Sequence, residues 1–184
     1  MNDKFEYKNF IEGKGIYLRE VRLSDVNENY YKWLNDPEVN RYLETKYIPQ
    51  SFENIKQYVE KMNTKADEIF LAICLKEGDL HIGNIKLGLI NWIHRYGEVS
   101  LIIGEKTYWR KGYASEAIQC LTDFAFKTLG LHKLISSFYD CNKGSIRAFE
   151  KAGYVVEGVL KGFYYFDRHF IDRVICGIVS PESE

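Results

Sequence analysis

Trp109-Arg110-Lys111-Gly112-Tyr113-Ala114 is the stretch whose reading decides the fold. It follows an apolar run, Val99 to Ile103, that reads as a buried strand. It opens onto Ser115 to Leu129, whose apolar spacing reads as an amphipathic helix. A small-residue turn between a strand and a helix N-terminus is an anion-binding device. The N–H groups of the first helical turn have no acceptor within the helix, and the helix dipole adds about half a positive charge there. Gly112 and Ala114 keep bulk away from the backbone, and Arg110 and Lys111 add charge. The turn asks for a diphosphate or a group like it. It carries neither the three spaced glycines of a dinucleotide fingerprint nor the Gly-Lys-Ser/Thr of a P-loop, and by itself it fits a bland strand–turn–helix connection equally well.

A second stretch narrows the choice: Asn142-Lys143-Gly144-Ser145-Ile146-Arg147-Ala148-Phe149-Glu150-Lys151-Ala152-Gly153-Tyr154. Taken with the first, it resembles the GNAT superfamily of N-acetyltransferases. In that family a (Gln/Arg)-x-x-Gly-x-(Gly/Ala) loop holds the pyrophosphate of acetyl-CoA. An Asn-x-x-(Ser/Ala)-x-x-x-(Tyr/Phe)-Glu-Lys-x-Gly-(Phe/Tyr) helix follows the next strand. Gly112 and Ala114 fall on the loop positions; Asn142, Glu150, Lys151, Gly153 and Tyr154 fall on the helix motif. The likeness runs from Ile16 to Val179 and is similar to the branch that includes the ribosomal-protein N-terminal acetyltransferases. It implies acetyl-CoA as acetyl donor. Its expected contacts are Leu101, Ile102 and Ile103 on the strand, Arg110, Lys111, Gly112, Tyr113, Ala114 and Ser115 in the loop, and Asn142, Ser145 and Phe149 on the second helix. The loop departs from the family pattern at its first position, where Trp109 stands for Gln or Arg.

The 184 residues predict one domain, and the resemblance implies that it is an acetyltransferase domain over 1–184 with its core at about 16–179. Apolar content of 46%, charged content of 28% and a net charge of −1 are those of an ordinary globule and give no electrostatic case for nucleic acid or an anionic membrane. Cys74, Cys120, Cys141 and Cys176 show no metal spacing; three lie in apolar runs and read as buried thiols, and Cys141 lies beside the candidate site. Met1 to Phe10 is charged and has no signal-peptide core, and no apolar run approaches membrane-spanning length, so a cytoplasmic location is the default expectation. His81, His94, His132 and His169 have no metal spacing and take no role.

Along the chain, Ile16 to Val21 reads as a strand. Ser24 is a plausible N-cap for a helix to Leu34, Pro37 can start a short helix through Leu43, and Ser51 opens another with Ile55, Tyr58, Val59 and Met62 on one face. Ile69 to Leu75 and His81 to Ile90 flank Glu77-Gly78-Asp79 as a hairpin, and Tyr96 to Ile103 completes an antiparallel meander. The helix from Ser115 presents Ala117, Ile118, Leu121, Phe124, Ala125 and Leu129 to the core and stops at Gly130. Lys133 to Tyr139 is a strand, Gly144 to Ala152 a helix closed by Gly153. Val155 to Leu160 and Ile171 to Val179 are the last strands, joined by an aromatic segment. The order predicts α+β with one parallel strand pair and a right-handed crossover. The resemblance refines this to a GNAT-like, mostly antiparallel mixed sheet flanked by helices, whose parallel pair splays apart to admit the pantetheine arm.

Acyl transfer from a thioester to an amine needs a neutral amine, a donor for the oxyanion and a proton for the thiolate. Direct attack needs no covalent intermediate, in keeping with the absence of a nucleophile–His–carboxylate pattern. Glu98, at the start of the strand leading into the loop, is the expected base; an exposed or structurally bonded strand Glu is the plain alternative. The ribosomal-protein branch carries a further catalytic Glu at the position of Tyr164. Many family members take the thiolate's proton from a Tyr where this chain has Phe149, and the ribosomal-protein branch uses the Ser that Ser145 matches. Ser145 is the expected acid, and the alternative is that the thiolate leaves unassisted near neutral pH. Asn142 reads as a ligand of the arm or as a simple N-cap.

On the acceptor side, Trp33, Arg41, Tyr42 and Tyr164 are the expected contacts. Trp33 also reads as a core-facing helix residue. The string Trp33-Leu34-Asn35-Asp36-Pro37-Glu38-Val39, with Arg41-Tyr42-Leu43-Glu44, is similar to that of amino-sugar acetyltransferases. The leading acceptor is a small primary amine such as an amino-sugar nucleotide. The alternatives are a protein N-terminus, an aminoglycoside or a polyamine, and a non-catalytic acyl-CoA-binding regulator is the reading from another class. The expected partners are a small-molecule or peptide amine, with a homodimer left open, and neither nucleic acid nor membrane.

Overall fold

The computed structural model describes residues 9–181. The charged stretch Met1 to Lys8 lies outside the described residues. Eight strands form one sheet in the order β1-β2-β3-β4-β5-β6-β8-β7. A two-residue β1 (Ile11–Glu12) pairs with β2 (Ile16–Glu20), which pairs with β3 (Ile69–Leu75). β4 (His81–Asn91) and β5 (Tyr96–Ile103) complete the antiparallel meander, with β5 at the bounds read from the sequence and β4 running on past Ile90 to Asn91. β6 (Lys133–Tyr139) then lies parallel to β5, the one parallel pair, reached through helix α3 (Tyr113–Lys127). Helix α4 (Lys143–Lys151) leads to β7 (Val155–Phe166) and β8 (His169–Val179).

Alternating strand residues feed two apolar layers. Ile16, Leu18, Leu71, Ile73, Ile85 and Leu87 pack under α3 and α4, with Ala117, Ile118, Leu121, Ala125, Ile146 and Phe149. Tyr17, Phe70, Ala72 and Cys74, on the other face, pack under α1 (Glu28–Asn35) and α2 (Phe52–Thr64), with Tyr30, Trp33, Ile55, Val59 and Met62. Period-2 alternation on a sheet covered on both sides produces this division. No helix among the described residues is long and apolar enough to cross a membrane.

Several boundaries differ from the sequence reading. The first helix starts at Glu28, capped by Asn27, whose Oδ1 accepts from the N–H groups of Asn29 (2.9 Å) and Tyr30 (3.2 Å). Ser24 sits instead in a 3-10 turn, Leu23–Asp25, held because the Asp25 carboxylate accepts from Arg22 N–H and Arg19. Pro37 starts no helix. Side-chain amides satisfy the local backbone there: Asn40 Nδ2 donates to Leu34 O at 2.8 Å, and Asn35 Nδ2 donates to Gln50 O at 3.0 Å. Helix α3 begins two residues before Ser115, and Phe124 and Leu129 are only partly buried while Thr122 and Phe126 are enclosed. Tyr58 lies at the edge of its layer, half-exposed against Phe70. The aromatic segment after Leu160 is not a connection but the end of β7. Its hairpin turn is Asp167-Arg168, both left-handed (φ 47 and 70), the geometry of a two-residue primed turn made without glycine.

Candidate functional site

β5 and β6 pair only over Tyr96↔Lys133, Gly97↔Leu134 and Glu98↔Ile135. β5 continues to Ile103 against β4, and β6 continues to Tyr139 against β8, so beyond Glu98 the two facing edges separate. The β6-facing backbone groups of β5 past Glu98 lack a strand partner, and such groups need donors and acceptors from elsewhere. This splay also corrects the reading of Val99 to Ile103 as a buried strand: Val99 is enclosed, but Leu101, Ile102 and Ile103 are half-exposed along the opening.

Past the open edge, Trp109 donates its indole N–H to Ile103 O at 2.7 Å, which pins the loop to the end of β5. Arg110 turns the chain in a left-handed conformation (φ 61), and Gly112 does so again (φ 91) as the N-cap of α3. No side chain caps this helix, and a Cβ built on Gly112 would meet nothing within 4 Å. The first-turn carboxylate that would repel an anion, Glu116, is drawn aside: its Oε1 accepts from Gly15 N–H at 2.8 Å and Ile16 N–H at 3.3 Å. Uncapped N–H groups, open space and exposed Arg110 and Lys111 fit a pyrophosphate, and the open strand edge fits an amide-bearing arm. Tyr113 faces inward, edge-on to Tyr108. Ala114 and Ser115 are half-buried in the first turn of α3.

On the other side of the opening, Asn142 caps α4, its Oδ1 accepting from Ser145 N–H at 3.3 Å. Ser145 is half-buried in the first helical turn. Phe149 is fully enclosed, edge-on to Phe138 and Tyr154 in the core, which overturns its expected place on the cleft wall. Cys141 is exposed, and residual burial together with Asp140 pushes its thiol up, away from thiolate.

Glu98 is half-buried at the apex of the opening, beside an irregularity in β4 between Gly88 and Asn91. Its carboxylate is close enough to Tyr164 to act on that phenol. Burial raises the Tyr164 pKa, Arg173 opposes, and Glu98 and Glu44 push it further up. Arg173 was not legible as a site residue. It lies on β8 opposite Tyr139, donates from Nη2 to Ser137 Oγ at 2.6 Å, and stacks under Phe163 and Tyr164. Tyr164 in turn packs on Tyr139 (ring centroids 4.6 Å), and Tyr139 on Phe166 (5.1 Å), while Tyr42 stacks on Phe166 at 5.8 Å. Burial pushes Tyr139 up to about 12 and raises Tyr164 as well, so these two stay neutral phenols at neutral pH.

Arg41, Tyr42 and Tyr164 thus come together across the chain, but Trp33 does not join them. It is 5% exposed and packs on Tyr30, His81 and Gly104, where any Cβ would strike its ring at 2.0 Å. Between the 34–49 loop, the Asp167-Arg168 turn and Trp109 lies an open cleft of about 1310 Å³. No group of three or more His, Cys, Asp or Glu side chains among the described residues could hold a metal ion.

Comparison with known proteins bears on this geometry. The family profile for the acetyltransferase (GNAT) domain matches residues 16–155. An uncharacterized N-acetyltransferase of Bacillus subtilis, YnaD, is 32% identical over 175 residues, covering 94% of this chain and 98% of that protein. The spermidine N(1)-acetyltransferase of Escherichia coli K12 is 28% identical over 160 residues, 86% of this chain and 83% of its own. Among solved structures, spermidine N-acetyltransferase from Vibrio cholerae, in complex with CoA and spermine, superposes with a TM-score of 0.80 at 24% identity, covering 90% of this chain and 96% of that one. That likeness is one of fold.

Proposed function

The chain belongs to the GNAT family of acetyltransferases and is an N-acetyltransferase that uses acetyl-CoA, and from that premise we propose how its residues divide the work and what kind of amine it takes. What supports the reading is one coincidence of geometry. The strands part at Glu98, the free edge of β5 runs on to Ile103, and beyond it lies the uncapped turn at Gly112. Bound acetyl-CoA supplies an acetyl thioester. In this reading Arg110, Lys111 and the N–H groups from Gly112 to Ser115 hold its pyrophosphate, the free edge of Leu101 to Ile103 holds the arm, and Asn142 bonds its far side through its free amide.

The Glu98 carboxylate accepts one proton from the ammonium, directly or through one water, which frees the nitrogen lone pair to attack. Free N–H groups on the β5 edge are the donors available to the carbonyl oxygen as it gains charge. The Ser145 hydroxyl, without a side-chain partner among the described residues, passes its proton to the departing thiolate and takes up the second proton that the nitrogen sheds; Phe149, buried and without a proton, cannot. Tyr42 and Tyr164 line the approach, with Arg41 at its mouth.

The acceptor in this reading is a small primary amine, an amino-sugar nucleotide in its sharpest form. A polyamine is the second reading, favoured by the spermidine acetyltransferase relatives. CoA release, followed with a thiol reagent over a panel of amino-sugar nucleotides, aminoglycosides, polyamines and N-terminal peptides, tests both. Turnover confined to one class names the acceptor. Silence across the panel with acetyl-CoA still bound would leave a non-catalytic acyl-CoA binder.

A further inference from the structure

The acceptor cleft carries an excess of positive charge. Arg41, Lys46, Arg110 and Arg168 line it against two carboxylates, Glu38 and Asp167. Asp167 offsets Arg41, but neither carboxylate pairs with Lys46, Arg110 or Arg168. Lys106 holds Glu38 at 2.6 Å from outside the cleft, and Asp167 faces Arg41 at 3.8 Å. Among the described residues Lys46, Arg110 and Arg168 have no carboxylate partner.

On the Lys46 and Arg41 side of the cleft, the faces of Tyr42, Tyr47 and Phe166 already carry the protein's own cations. Lys46 Nζ stands 3.9 Å from the Phe166 ring centre and 4.9 Å from that of Tyr47, and the Arg41 guanidinium lies 5.5 Å over Tyr42 and 5.9 Å over Phe166. A polyamine binding on those three rings would have to displace the protein's own cations, and anywhere along this side it would meet like charge at close range.

From this arrangement we infer that the acceptor is an amine bearing an anionic group, a phosphate or a carboxylate, which Arg41, Lys46 and Arg168 receive while the nitrogen lies at Glu98. The inference rests on the proposed N-acetyl transfer and deepens it. It also sets a span. From Tyr164, beside Glu98, the wall runs through Tyr139 and Phe166 in ring-to-ring steps of 4.6 and 5.1 Å before it reaches Lys46. Amine and anion are therefore separated by the body of the acceptor, as on a phosphorylated amino sugar, and not adjacent as in an α-amino acid.

The test uses a matched pair, glucosamine 6-phosphate and glucosamine, with spermidine and glycine beside them, under saturating acetyl-CoA so that the donor's own phosphate sites are filled. CoA release should show a KM at least tenfold lower for the phosphate ester than for the free sugar, and a higher kcat/KM than for spermidine or glycine. Lys46→Glu and Arg168→Glu should each collapse that preference. Equal KM values for the pair, or spermidine as the best substrate, would overturn the inference while leaving N-acetyl transfer in place. So would a charge reversal that raises KM for acetyl-CoA and spares the preference, because the cations would then belong to the donor. If no amine is turned over, equilibrium binding of the same pair to the CoA-saturated protein decides: a tenfold preference for the phosphate sustains the charge reading, and equal affinity ends it.

Discussion

An amine with a pKa of about 10 reaches the cleft protonated at pH 7, so at the scale of single residues the question is which group takes that proton. Glu98 is placed where the strands part, and a carboxylate there serves only while the amine needs it. Glu98→Gln should therefore lower kcat/KM by roughly 10²-fold at pH 7, with the deficit shrinking as pH approaches 10 and the amine arrives neutral. Acetyl-CoA affinity should hold, since Glu98 lies at the start of the open edge and not at the phosphate turn. A pH–rate profile parallel to that of the wild type would remove Glu98 as base. Trp109 makes a second residue-scale case. Its indole N–H on Ile103 O fastens the loop where Gln or Arg is commoner in the family. Trp109→Phe keeps the ring and loses the bond, worth about 1 kcal/mol. KM for acetyl-CoA should rise several-fold at unchanged kcat, and a KM equal to that of the wild type would show that the loop holds its shape without it.

At the scale of elements, the proposed donor site centres on the N-terminus of α3, and Gly112 separates two effects there. Its left-handed φ makes any side chain cost about 1–2 kcal/mol of strain, and the space before its Cβ is open. Gly112→Ala carries the strain alone and should weaken CoA binding modestly. Gly112→Asp adds a negative charge at the anion position and should raise Kd on the order of 100-fold, the equivalent of about 3 kcal/mol. Equilibrium CoA binding to the two folded variants measures the difference, and near-normal affinity for Gly112→Asp would sink the loop assignment. This element was legible in the sequence because its signal is local: apolar spacing of period 3.6, a small-residue start and a Gly130 stop. The strands from Ile69 to Ile103 were legible for the same reason, since alternation survives wherever one face is buried. What stayed hidden depends on partners distant in sequence. The turn at Asp167-Arg168 lacks the Asn-Gly or Asp-Gly chemistry that marks a primed hairpin, so Phe163 to Phe166 read as a connection rather than as the strand carrying Tyr164. The 34–49 loop follows side-chain amides of Asn35 and Asn40 that no periodicity records. Arg173 becomes a site residue only when β8 lies beside β6, and Phe149 leaves the site only because α4 turns it into the core.

At the scale of the whole molecule, the α1–α2 layer beside the proposed acceptor cleft is fastened to the sheet by a buried polar cluster. Arg19 on β2 forms a two-pronged bond to Asp25 at 2.7 and 2.8 Å, and His81 on β4 lies 4.0 Å from Asp25 and 5.1 Å, ring to ring, from Trp33 on α1. Burial works against the Asp25 charge, yet the bonds from Arg19 and Arg22 N–H hold its pKa below the ordinary value. Burial lowers the pKa of His81, and Asp25 only partly offsets this. Both directions have the same sign in stability. As pH falls, the unfolded chain takes up each proton before the folded one does, so stability present at pH 7 drains away on the acid side. The loss begins with His81 as pH passes below its ordinary 6.5 and continues with Asp25 below the usual carboxylate range. Removing one partner of a buried ion pair costs about 3–5 kcal/mol. For a domain of this size, at about 2–4 °C per kcal/mol, Asp25→Asn should lower Tm at pH 7 by roughly 10 °C. That deficit should narrow toward pH 3, because the wild type then surrenders the same contribution. Thermal unfolding of both proteins from pH 8 to pH 3 measures it. A deficit that stays constant across this range would mean that the Asp25 charge does not carry the fastening, and that shape alone joins the α1–α2 layer to the sheet.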